Sequence, residues 1–293
     1  MAEPALILTL VSDLFFAVQI EGAIRALGYR LARVERAEQI EPGPPGPAPF
    51  EHGWAYLGEP LAGRGAGFVA RLVEWQPALV IVELQSKSIP WADWVAALKS
   101  SPATRRIPVL AYGPHVDLDL RARALAAGCD AVLAQGRLVS ALPELITQYA
   151  RQVDQAGLAS DCQGAPSALA LKGIDLFNRR AYFEAHEELE LAWGEDTGPG
   201  RELYRGILQV AVAYLQIERQ NYKGALKMFL RLRQWLDPLP DECRGVNVAL
   251  LREQALAARA ALEALGPEHM GEFDQGLLKP VEMRPAAAGL NGH

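Results

Sequence analysis

The chain has 293 residues, of which 50% are hydrophobic and 22% charged, with 29 Lys+Arg against 35 Asp+Glu and a net charge of -6. The apolar content excludes global disorder, and the length points to two domains. A mildly acidic chain without a basic cluster is a poor general nucleic-acid binder, and no apolar run approaches the ~20 residues that span a bilayer.

The three cysteines, Cys129, Cys162 and Cys243, are scattered and form no C-x-x-C. Neither a disulfide nor a cysteine-based zinc site is expected, and a reducing compartment fits. The opening Met1-Ala2-Glu3-Pro4 lacks the basic start of a signal peptide. The expected location is cytoplasmic, with no nucleic-acid or membrane partner.

The first half alternates strand-like and helix-like segments. Ala5–Val11 is a short apolar run ending in Ser12-Asp13. Phe16–Leu27 has helical spacing closed by Gly28. Arg30–Val34 is a second strand. A Pro/Gly-rich insertion at 41–66, centred on Glu41-Pro42-Gly43-Pro44-Pro45-Gly46-Pro47, suits neither a helix nor a central strand. Gly67–Trp75 then reads as a helix and Ala78–Leu84 as a buried parallel strand. Trp91–Lys99 is a helix, Ile107–Tyr112 a strand, and Leu118–Ala127 a helix capped by Gly128. Ala131–Ala134 is a last strand, followed by a helix from Leu138 to about Val153. Five such units predict a doubly wound, five-stranded parallel sheet over residues 1–154.

A linker is expected at 155–166. The second half has no strand-like segment. Helices are predicted at Ala168–Arg179, Tyr182–Trp193, Arg201–Arg219, Lys223–Leu236 and Val246–Leu265. This is an all-α bundle spanning 167–265, with a loosely ordered tail at 266–293. Tyr182-Phe183-Glu184-Ala185 echoes Tyr222-Lys223-Gly224-Ala225, as in helical-hairpin repeats.

The phrases V-S-D, P-A-L-V-I-V-E-L, R-I-P-V-L-A-Y and A-A-G-C-D-A-V-L resemble the response-regulator receiver family over residues 5–150. That resemblance implies a flavodoxin-like fold with a phosphoryl-accepting edge. At its functional positions stand Ser12 and Asp13 (the acidic pair), Glu83 (the acceptor aspartate), Gly113 (the hydroxyl residue) and Gln135 (the lysine). Phosphoryl transfer needs positioning and charge neutralisation by metal and cation. The substitutions therefore imply a receiver that takes no phosphate and serves a protein partner or a homo-oligomer. Asp13 also reads as a plain helix N-cap.

In the second half, Phe177-Asn178, Tyr182-Phe183-Glu184-Ala185-His186-Glu187, Glu190, Trp193, Arg205-Gly206, Gln209, Asn221 and Gly224-Ala225 resemble the domain of unknown function 309 family over 168–236. The resemblance implies a shared polar site of His186, Glu187, Glu190, Trp193, Arg205 and Gln209, without naming an activity. Helical spacing aligns His186, Glu190 and Trp193 with Phe183 and Leu189. A buried carboxylate needs a partner, so a His186–Glu190–Arg205–Gln209 network extending to Gln216 is expected. H-E-x-x-E also suggests a divalent metal on His186 and Glu190 with Glu187 as base, although a third ligand is missing. No other cofactor is expected. The preferred function is a regulatory or interaction protein. The alternatives are a metal-dependent hydrolase and a binding protein for a small anion held by Arg205 and Trp193.

Overall fold

The structure is a computed structural model that describes residues 4–42, 60–63 and 65–284. Most of the expected insertion and the last residues of the expected tail lie outside them. The chain forms two compact units, 1–152 and 153–293. Among the described residues no helix is long and apolar enough to cross a membrane.

The first unit contains β1 (Leu6–Leu10), α1 (Leu14–Ala26), β2 (Arg30–Val34), α2 (Ala66–Trp75), β3 (Leu79–Glu83), α3 (Trp91–Ser100), β4 (Val109–Gly113), α4 (Leu118–Ala127), β5 (Ala131–Ala134), α5 (Gln135–Ser140) and α6 (Leu142–Tyr149). The helix expected from Leu138 is two helices, meeting at Ala141. The sheet order is β2-β1-β3-β4-β5 and every pairing is parallel. Side chains on a strand alternate between faces, and here both faces are covered. Leu8, Leu10, Val80, Val82, Val109 and Ala111 join Phe68, Trp94 and Leu98 in one core. Ile7, Leu79, Ile81, Leu110 and Tyr112 join Ile20, Ile24 and Ile146 in the other. This is why the strands read as unbroken apolar runs. The doubly wound receiver/flavodoxin-like sheet stands as expected.

Local chemistry sets the element ends. Asp13 Oδ1 accepts from the backbone N–H of Phe15 and Phe16, at 2.8 and 3.3 Å, and caps α1. Gly128, at φ +106°, closes α4 in a left-handed conformation that a side chain resists. Asp130, in the A-A-G-C-D phrase, pins the β5 approach: its Oδ2 accepts from Lys99 Nζ at 2.7 Å and Val109 N at 2.7 Å. Glu41, at the start of the insertion, is also tied down. It accepts from Gly65 N (2.9 Å), Gly67 N (3.1 Å) and Trp94 Nε1 (3.0 Å), placing a carboxylate at the α2 N-terminus.

The second unit contains α7 (Gln155–Asp161), α8 (Ala168–Asn178), α9 (Tyr182–Glu195), α10 (Glu202–Glu218), α11 (Tyr222–Leu236), a hairpin of β6 (Glu242–Cys243) and β7 (Val246–Asn247), and α12 (Val248–Leu265). It is predominantly helical, as predicted. The 40-residue echo is structural. The α8–α9 and α10–α11 hairpins turn through left-handed Arg180 (φ +63°) and Gln220 (φ +54°). Each turn is closed by the same pair of bonds: Ala181 N to Leu176 O and Arg180 N to Phe177 O, then Asn221 N to Gln216 O and Gln220 N to Ile217 O. Ala185 and Ala225 occupy matching buried positions.

Several expectations fail here. The segment expected as a linker contains α7, and Leu158 and Cys162 enter the helical core. The second half does contain strands, the short β6–β7 hairpin. Its central residues, Arg244 (φ +52°) and Gly245 (φ +77°), both have positive φ, the geometry of the tightest antiparallel turn. The described part of the tail is ordered by burial of Met270, Phe273, Leu278 and Val281. Cys162 and Cys243 form a disulfide, contrary to expectation, whereas Cys129 is free and buried. Beside the disulfide, Arg244 Nη2 donates to Asp161 Oδ2 at 2.8 Å, and Arg244 Nη1 donates to Asp196 Oδ2 and, at 2.7 Å, to Tyr204 Oη.

Candidate functional site

Two polar regions correspond to the residues singled out from the sequence. The first lies at the carboxyl edge of the sheet, where parallel α/β folds place ligands. β1 leads into the loop residues Ser12 and Asp13, and neighbouring β3 ends in Glu83. The Glu83 carboxylate does not face open solvent. Its Oε2 accepts from Ser12 N at 2.7 Å, Ser12 Oγ at 2.9 Å and Asp13 N at 3.1 Å. The extra methylene of glutamate lets the carboxylate reach across to the β1–α1 loop. Asp13 is engaged as the α1 cap. The structure therefore brings together Ser12, Asp13 and Glu83.

Gly113 is buried at the end of β4. A Cβ added there would lie 3.4 Å from Leu84 Cβ and 3.5 Å from Leu120 Cδ2, so its surroundings are apolar. Gln135 is partly exposed at the first position of α5. Sequence reasoning missed Tyr112. Its hydroxyl is buried without a hydrogen-bond partner among the described residues. Burial raises its pKa far above the usual tyrosine value, and the charges of Glu83 and Asp13 raise it further. Both carboxylates thus act on one buried phenol.

The second region lies on α9, α10 and α11. The buried face of α9 is Tyr182, Ala185, Leu189 and Ala192. His186 and Trp193 flank that face and are partly buried, while Glu187 and Glu190 are exposed and Phe183 is 52% exposed. The expected apolar stripe around His186 and Glu190 is therefore rotated off the core. Among the described residues Glu190 makes no hydrogen bond or ion pair, so the expected Glu190–Arg205 pairing is absent. Gln216 instead accepts from Asn221 Nδ2 at 2.7 Å.

What the helices do assemble is a ladder of cations and indoles. The Arg201 guanidinium carbon lies 5.0 Å from the Trp193 ring centre. Arg205 lies 4.5 Å from Trp193 and 4.0 Å from Trp235, between the two rings. Guanidinium planes stack well on indole faces, and desolvation strengthens the attraction. Trp235 was not singled out from the sequence, although its i+30 separation from Arg205 is what an antiparallel α10–α11 hairpin brings together. Trp193 Nε1 and Gln209 Oε1 are buried without hydrogen-bond partners among the described residues. Within those residues no three His, Cys, Asp or Glu side chains are grouped to hold a metal ion, so His186 and Glu190 gain no third ligand.

Comparison with known proteins gives the following. Residues 170–228 match the Domain of unknown function (DUF309). No curated protein matches significantly. Similar solved structures include a response regulator receiver domain from Rhodospirillum rubrum, at 19% identity, covering 48% of this chain and 90% of that one, with a TM-score of 0.35. The chemotaxis response regulator CheY4 of Vibrio cholerae is 10% identical, covering 50% and 98%, with a TM-score of 0.36. The receiver domain of a DNA binding response regulator from Colwellia psychrerythraea 34H is 18% identical, covering 49% and 99%, with a TM-score of 0.34. The chain thus joins an α/β unit of receiver-like topology to a helical unit that matches the Domain of unknown function (DUF309) over 170–228.

Proposed function

We propose that the protein is a regulatory interaction protein, in which a receiver-like unit that takes no phosphate is joined to a helical ligand- or partner-binding unit. The observation that carries this reading is the Glu83 carboxylate, whose Oε2 accepts three hydrogen bonds from Ser12 and Asp13. A carboxylate held this way already has the donors that a phosphoryl oxygen would need. Gly113 and Gln135 supply neither a hydroxyl nor a cation for the developing charge.

An interaction role is supported by the outer face of α1, where Leu14, Phe15 and Val18 are 62, 69 and 66% exposed. Apolar residues gathered on one helix face mark a contact surface more often than isolated ones do. The test is intact-mass measurement of the full chain after incubation with Mg²⁺ and acetyl phosphate. No phosphoryl adduct is expected. A stoichiometric adduct that disappears in Glu83→Gln would overturn the proposal.

A further inference from the structure

The segment after α12 is held largely through its backbone. Two short 3₁₀ turns, Pro267–Glu272 and Gln275–Leu277, lead into an extended stretch that runs to Arg284. Much of what grips this stretch reads backbone rather than side chains. Asn178 Nδ2 donates to Val281 O at 3.0 Å, and Val281 N donates to Asn178 Oδ1 at 2.7 Å, so one carboxamide holds both polar groups of one residue. Arg180 Nη2 donates to Gln275 O at 2.9 Å. The hairpin edge continues the grip: Asn247 N donates to Glu282 O at 3.0 Å, Arg284 N donates to Gly245 O at 2.8 Å, and Val246 bridges Met283 in antiparallel fashion.

The same stretch buries selected side chains. Leu278 and Val281 point into the core and Met283 is partly buried, while Lys279, Pro280, Glu282 and Arg284 are exposed. Main-chain pairing combined with pockets for selected side chains is how folded domains bind extended peptides. Among the described residues, a cleft lined by Gln163, Pro166, Leu171 and Glu242 also takes in Met283 and Arg284. The strap also lies outside residues 170–228, whereas Asn178 and Arg180 lie inside them.

We infer that the helical unit carries a backbone-reading peptide groove, that residues 275–284 are its resident ligand, and that an extended segment of a partner protein with apolar residues spaced like Leu278, Val281 and Met283 displaces them. This deepens the binding role proposed for the helical unit, and it is independent of whether the receiver-like unit takes phosphate. A tethered ligand competes at an effective concentration in the millimolar range, so the groove is closed in cis until a stronger segment arrives.

The experiment uses the full chain with a protease site inserted between Gly266 and Pro267, cut after folding, and a dye on the released tail. An unlabelled synthetic peptide of residues 267–284 is the competitor. Saturable displacement that leaves the helical circular dichroism intact is expected, and the same peptide carrying Val281→Asp should fail to displace. In the uncut chain, Asn178→Ala should speed hydrogen exchange at the Val281 amide roughly thirtyfold, since two net hydrogen bonds are lost, while leaving the Ala185 amide unchanged. A tail that leaves only when the helices unfold would overturn the inference. So would Val281 and Arg284 amides as protected in the uncut chain as the core of α9, because the strap would then be an inseparable part of the core.

Discussion

The two units treat a carboxylate near their surface in opposite ways. In the α/β unit, Glu83 is satisfied by two backbone N–H groups and a hydroxyl from the neighbouring strand end. In the helical unit, Glu190 stands exposed without a partner among the described residues, and the work of organising that face falls to Trp193, Arg205 and Trp235. A carboxylate at a sheet edge meets converging strand ends, which present N–H donors. One on a helix flank meets none, because the helix uses its own N–H groups internally. Glu83 is therefore satisfied within its own unit, whereas the helical face keeps the Trp193 Nε1 and Gln209 Oε1 atoms without hydrogen-bond partners among the described residues.

Breaking this contrast should produce graded effects. The largest is expected at the charged cluster of the helical unit. Arg244→Met leaves Asp161 and Asp196 without their shared cation and removes the interactions that hold a non-glycine residue at φ +52°. About 3 kcal/mol of stability should be lost, the low end for a buried pair because both carboxylates are partly exposed, and urea unfolding would measure it. The same cluster predicts an acid effect. Burial raises the Asp196 carboxyl, but hydrogen bonds from Arg244 and Gly198 and the charges of Arg244 and Arg201 outweigh it and hold the pKa below the usual aspartate value of 3.8. A depressed folded pKa contributes stability that is complete above the unfolded pKa and lost as pH falls through the folded one. The wild type should therefore lose stability below about pH 4, and Arg244→Met should show a flatter acid limb.

Next in size is the Cys162–Cys243 crosslink, which joins residues 81 apart in sequence. Cys243→Ala should cost about 2–4 kcal/mol, read as a lower thermal midpoint of the helical unit, with little change in the first unit. Glu83→Gln should cost about 1–2 kcal/mol, because charge-assisted bonds become neutral ones. Glu190→Gln should stay within about 0.5 kcal/mol of wild type, as for a surface residue without partners. Equal effects at Glu83 and Glu190 would dissolve the contrast. Between these two, Arg205→Lys should cost about 1 kcal/mol, since an ammonium cannot stack between two indoles as a planar guanidinium does.

Much of the architecture was legible because its signals are local. Val80–Val82 and Val109–Ala111 read as buried strands since both faces of the sheet are covered, and Gly128 marked the end of α4 by its backbone requirement alone. The acidic edge was legible as a set of residues, but the hydrogen bonds from Ser12 to Glu83 join residues 71 apart. The face of α9 was misread because Phe183 and Leu191 are apolar yet 52 and 55% exposed, so the apolar pattern fits more than one face. Small residues, Ala185 and Ala192, settle the packed face, and they weigh little in a hydrophobic count. Cys162 and Cys243 gave no signal because no spacing rule links residues so far apart. The glycines and prolines of the tail hid Phe273, Leu278 and Val281, whose burial depends on a surface made elsewhere in the chain.

The most direct test of the central claim is a Mg²⁺ titration of the full chain followed at the Ser12 and Asp13 backbone amides by NMR. If the Glu83 carboxylate is already held by those amides, neither resonance should show a saturable shift, and both should move in Glu83→Gln without any metal. A saturable Mg²⁺-dependent shift at Ser12 and Asp13, abolished by Glu83→Gln, would mean that the edge still binds a metal, and the reading of a receiver-like unit closed by its own glutamate would be wrong.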